Sequence, residues 1–188
     1  FYRLLNPCKG MKTLGIIPAR YASTRFPGKP LADLNGKSLI QRVYERVAAA
    51  PALDEVMVAT DDQRIYDHVL SFGGKVQMTS AEHQSGTDRC AEIARNFPDF
   101  EVVLNVQGDE PFLAYEQIER VANPLRRGLA QIATLAMPIA DPEDLFNPNV
   151  VKVVFNAQKL AMYFSRSTIP HLRGLPEADW LAQACHYR

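Results

Sequence analysis

Short apolar runs alternate with segments of helical spacing along this 188-residue chain. Residues 14–17 form a continuous apolar run, as expected of a strand buried on both faces, and they break at Pro18 into a loop of small and basic residues. Ser38 and Gln41 have capping-box spacing, and Leu39, Ile40, Val43, Tyr44 and Val47 keep one helical face until Pro51. Residues 55–60 predict a second strand. Asp61 and Asp62 open a helix carrying Ile65, Tyr66, Val69 and Leu70, which stops at Gly73 and Gly74. A short strand over 75–79, a polar loop over 80–86 and a helix over 87–96 follow. A fourth strand spans 101–107, a helix with Ile118, Val121 and Leu125 on one face spans 114–127, and an apolar run predicts a fifth strand over 130–137.

From Asp141 the texture changes. Residues 141–146 predict a short helical turn, and two strands over 150–155 and 161–165 are joined by a turn with no helix between them. Pro170, Gly174 and Pro176 mark an irregular crossing. Apolar strands alternating with amphipathic helices predict an α/β protein, a three-layer α/β/α arrangement with a mostly parallel sheet, plus a smaller mixed β arm. Residues 1–10 precede the natural start at Met11 and are read as an upstream leader, too polar for a secretory signal. Residues 11–188 are expected to form a single domain.

Composition narrows the partners. Lys plus Arg number 21 and Asp plus Glu 21, so no global field draws in nucleic acid or an anionic membrane, and an anion site must be local. Cys8, Cys90 and Cys185 are odd in number and lack C-x-x-C spacing, which speaks against a disulfide framework or a zinc site and for a reducing compartment.

Three loops at the carboxyl ends of predicted strands carry more polar groups than a connection needs. The first, over 18–30, offers Arg20, Arg25 and Lys29 to a polyphosphate or to solvent. It is not a Walker A loop: five positions before Gly36 stands Leu31 rather than glycine, and a G-x-G-x-x-G after the first strand is also absent. The second, Gln107-Gly108-Asp109, puts one carboxylate at the sheet edge, suited either to Mg²⁺ beside phosphates or to capping the next helix. The third, running from His83 to Arg89, has groups able to read a base edge, although Ser85 or Thr87 is also a good N-cap.

The stretches 16–30, 83–89, 105–111, 146–149 and 163–167 together resemble 3-deoxy-manno-octulosonate cytidylyltransferases (CMP-KDO synthetases), collinearly from about Thr13 to Pro170. The resemblance implies a nucleotide-diphospho-sugar transferase-like fold, CTP and KDO as substrates, Mg²⁺ as cofactor and a homodimer using the region after residue 140. Arg20, Ser23 and Lys29 would hold the triphosphate, with Lys29, Arg20 and Asp109 as the catalytic set. His83, Arg89 and Gln107 would lie along cytosine and ribose, Asp109 would bind the metal and Arg166 would face the carboxylate of the sugar acid. The role of Arg166 comes from the resemblance alone, and Arg25 stays open between ligand and solvent. The family carries a further metal-binding aspartate towards its C-terminus, so the chain is expected to be truncated. Sialic acid as acceptor, a non-catalytic nucleotide-binding module and an NAD-dependent enzyme are the alternatives, the last disfavoured by the missing glycine fingerprint.

Overall fold

The computed structural model describes residues 10–22, 26–183 and 186–188. The chain divides into two compact units, one through Ala133 and one over Thr134–Arg188.

In the first unit four parallel strands, β1 (Thr13–Ala19), β2 (Glu55–Thr60), β3 (Val76–Met78) and β4 (Val102–Asn105), lie in the order β3-β2-β1-β4. Between them run α1 (Leu39–Ala48), α2 (Gln63–Ser71) and α3 (Gly86–Asn96), and α4 (Tyr115–Arg126) follows β4. The two-residue period of the strands feeds both faces. Ile17, Val56 and Val58 pack with Ile40, Val43, Ile65 and Ile118, whereas Leu14, Ile16, Met57 and Ala59 pack with Cys90 and Ile93 of α3. Burial pushes the Cys90 thiol up to about 12, so it is a neutral packing group. Ser38 caps α1 by accepting from the Gln41 N–H, but the Gln41 side chain turns to Glu45, so only half of the expected box forms.

The second unit holds α5 (Pro142–Phe146), the antiparallel pair β5 (Lys152–Phe155) and β6 (Ala161–Ser165), and the single turn α6 (Trp180–Gln183). Ile139, Leu145 and Trp180 form its core. Lys152 is fully buried, and its ammonium donates to the carbonyls of Asn147, Val150 and Arg166 at 2.7, 2.9 and 3.0 Å. Desolvation lowers its pKa from the usual lysine value.

The predicted architecture is borne out, with one correction. Residues 130–137 form no strand. Ile132 is 89% exposed, and Pro138 makes only an isolated bridge to Tyr187. An apolar run supplies side chains for burial, but a strand also needs a neighbour for its N–H and C=O groups, and among the described residues this run pairs only at its end, where Met137 exchanges both hydrogen bonds with Arg188 at 2.9 and 3.0 Å. Among the described residues no helix is long and apolar enough to cross a membrane.

Candidate active site

A cleft of about 240 Å³ opens at the carboxyl ends of β1 and β4, lined in part by Pro18, Arg20, Lys29, Gly86, Gln107 and Asp109. Strand order places it there. The chain leaves β1 towards β2 on one side and returns to β4 on the other, so the loops after these two neighbours diverge and leave a crevice.

The loop after β1 is pinned at both ends. The Gly28 N–H donates to the Tyr21 carbonyl at 2.9 Å, and the Arg64 guanidinium lies 3.3 Å from the centre of the Tyr21 ring. Gly28 has φ 73°, and a Cβ there would also stand 3.2 Å from that ring. The backbone turn delivers Lys29 to the cleft, where its ammonium donates to Asp109 Oδ2 at 2.6 Å. Asp109 follows Gly108, whose absent side chain matters because a Cβ would lie 3.0 Å from the Pro18 carbonyl. Arg20 donates to the His83 carbonyl at 2.8 Å, tying the loop after β1 to the loop after β3.

The structure therefore brings Arg20, Lys29, Gln107 and Asp109 into one cleft, with His83 bonded to its edge. The remaining expected residues are placed differently. Arg89 is fully buried, donating to Asp61 Oδ2 at 2.8 Å and to the Thr79 hydroxyl, so its guanidinium faces the protein. The His83 ring pairs with Glu92, and that hydrogen bond, aided by the Ser80 N–H, holds the Glu92 carboxyl below the usual carboxylate range. Ser85 is the N-cap of α3 in a reciprocal box with Asp88, so the capping reading of that serine holds. Arg166 belongs to the second unit, exposed, with its guanidinium on the Pro148 carbonyl at 2.9 Å. Ser23 and Arg25 lie outside the described residues.

The cytidylyltransferase family profile matches residues 14–178. The 3-deoxy-manno-octulosonate cytidylyltransferase of Parabacteroides distasonis is 54% identical over 95% of this chain and 72% of its own length, and that of Cytophaga hutchinsonii is 54% identical over 93% and 70%. The chain belongs to the 3-deoxy-manno-octulosonate cytidylyltransferase family. A solved CMP:2-keto-3-deoxy-manno-octonic acid synthetase complexed with CTP superimposes with a TM-score of 0.84 at 42% identity, covering 94% of this chain and 70% of that one.

Within this cytidylyltransferase, the apolar spacing and motifs do not single out Asp61, Glu92 or Lys152. Asp61 looked like a helix opener, yet Asp62 does the capping while Asp61 takes the buried arginine. A signal for Glu92 was present. It stands three positions after Arg89 in α3, so both side chains reach back over the turn that carries the preceding loop. Lys152 left no signal, because a lysine satisfied by backbone carbonyls looks like any solvated lysine in the sequence.

Proposed function

We propose that the protein transfers CMP from CTP to the anomeric hydroxyl of 3-deoxy-D-manno-octulosonate, releasing pyrophosphate, as the sugar-activating step of lipopolysaccharide biosynthesis. The observation that carries the reading is the convergence of Arg20, Lys29 and Asp109 on one cleft of a cytidylyltransferase chain. A neighbour of the same fold in complex with CTP supports the choice of nucleotide, and the names of relatives above 50% identity support the acceptor.

Displacement at the α-phosphorus asks for alignment and charge neutralisation rather than a covalent intermediate. Lys29 and Arg20 supply fixed positive charge beside the triphosphate. Gln107 stands on the same rim with an amide that can donate and accept, and Gly108 lines the cleft beside it, packed close to the Pro18 carbonyl. Among the described residues no group of three or more His, Cys, Asp or Glu could hold a metal by itself, and Asp109 is the carboxylate the cleft presents. That donor set fits Mg²⁺, which takes one or two carboxylates and completes its shell with water and phosphate oxygens. Bound by Asp109, it would neutralise phosphate charge. Arg166 is the residue proposed for the acceptor's carboxylate, for which a planar guanidinium is suited. A homodimer and a cytoplasmic location belong to the same proposal.

The test is pyrophosphate release from the full-length protein with Mg²⁺ and each nucleotide–sugar pair. Release is expected with CTP and KDO together and with neither alone. Faster turnover with sialic acid would reassign the acceptor, and tight CTP binding without release would make the protein a binding module.

A further inference from the structure

His83 is used from both ends. Its ring Nε2 meets Glu92 Oε2, its carbonyl accepts from Arg20 at 2.8 Å, and the same Glu92 oxygen accepts from the Ser80 N–H at 3.0 Å. Glu92 is on α3, outside the residues that line the cleft, and it makes no hydrogen bond to Arg20. The capping box of Ser85 and Asp88 fixes where the loop enters the helix. What remains free between β3 and α3 is the short segment over 80–84, and Glu92 takes hold of it at two points.

We propose that Glu92 is a positioning residue for the nucleotide, acting through His83 to hold both the loop over 80–84 and the guanidinium of Arg20. The inference rests on the CTP reading of the cleft and deepens it. Arg20 is a long side chain whose head would otherwise sample many rotamers, and a loop with free backbone must be ordered again each time ligand binds. A carboxylate that fixes His83 removes both costs before CTP arrives. The His83 ring then serves the nucleotide indirectly, since among the described residues it pairs with Glu92 and its carbonyl is the group that reaches Arg20.

The experiment is a double-mutant cycle on CTP affinity in the full-length protein, measured by calorimetry. Glu92→Ala is expected to weaken CTP about tenfold, as for loss of a hydrogen bond to a charged group, and His83→Ala to match it. Glu92→Gln keeps an acceptor and should recover most of the affinity. In an Arg20→Ala background, Glu92→Ala should cost less than about threefold, because residues that share a partner are not additive. The KM for KDO should stay within about twofold, which a general loosening of the fold would not allow. Full additivity with Arg20→Ala, or an unchanged CTP affinity in Glu92→Ala, would overturn the proposal. Wild-type protein that binds CTP but releases no pyrophosphate would overturn the transferase reading, with the binding cycle still deciding the role of Glu92. Failure of the wild type to bind CTP would overturn both.

Discussion

Magnitude decides what the Lys29–Asp109 pair is for. Their side chains are 41% and 50% exposed, and an ion pair that open to water contributes about 0–1 kcal/mol to stability. The pair is thus a poor candidate for a stabilising element and a good one for two reactive groups held where a charged ligand arrives. Lys29→Ala should weaken CTP by about tenfold or more while shifting the KM for KDO little, and Asp109→Ala should abolish Mg²⁺-dependent turnover. Both variants should unfold at nearly the wild-type temperature. An equal effect of Lys29→Ala on both substrates would move that lysine out of the triphosphate site, and undiminished turnover in Asp109→Ala would remove the metal role. Arg89 is the contrasting case. It was legible as a chemically important residue, yet fully buried on Asp61 and Thr79 it can touch no ligand in this arrangement and acts by holding the ends of two loops.

At the level of elements, α3 does the most for the site. Ser85 and Asp88 close a reciprocal box at its N-terminus, and Arg89 and Glu92 reach back from its first turns to Thr79 and Ser80 in the segment that precedes it. Ser85→Ala removes the acceptor for the Asp88 N–H and should cost about 1 kcal/mol, as N-cap losses do. For a chain of this size that is a fall of about 2–4 °C in the thermal midpoint, read by calorimetry. A Ser85→Thr variant, which keeps a hydroxyl to accept from the Asp88 N–H and to donate to the Asp88 carboxylate, should recover most of the loss. An unchanged midpoint in Ser85→Ala would mean that the turn is held by Arg89 and Glu92 instead. The elements of the first unit were legible because each buried strand is apolar throughout and each helix shows one apolar stripe. The site was legible only as loops, since spacing identifies which residues leave a strand end but not which way a histidine ring or a guanidinium turns.

For the whole molecule, equal numbers of acidic and basic residues mean that electrostatics act locally, through carboxylates tied to particular partners. The order β3-β2-β1-β4 follows from parallel crossovers, whereas the run over 130–137 forms no strand because, among the described residues, only Met137 of it finds a backbone partner, which an apolar pattern cannot reveal. The carboxylates of Glu45, Asp62, Asp88 and Glu92 are all held below their usual values by hydrogen bonds, from Lys37, Arg64, Ser85 and His83 respectively. A folded-state value below the unfolded one gives stability that is complete above the unfolded value and is lost as pH falls through the folded one. The thermal midpoint should therefore be flat near neutrality and decline below about pH 4.5, where these groups begin to take up protons in the unfolded chain. Asp62 tests the effect, its side chain being 17% exposed and paired with Arg64, which in turn lies over the Tyr21 ring. Its carboxylate caps α2 through the Arg64 N–H at 3.0 Å and pairs with the Arg64 guanidinium at 2.6 Å. Asp62→Asn keeps a capping oxygen and removes only the titrating charge. The variant should melt below the wild type at pH 7, and the two curves should converge as pH falls past the usual aspartate value of 3.8. Curves that stay parallel down to pH 3 would show that the Asp62–Arg64 pair contributes nothing to acid stability.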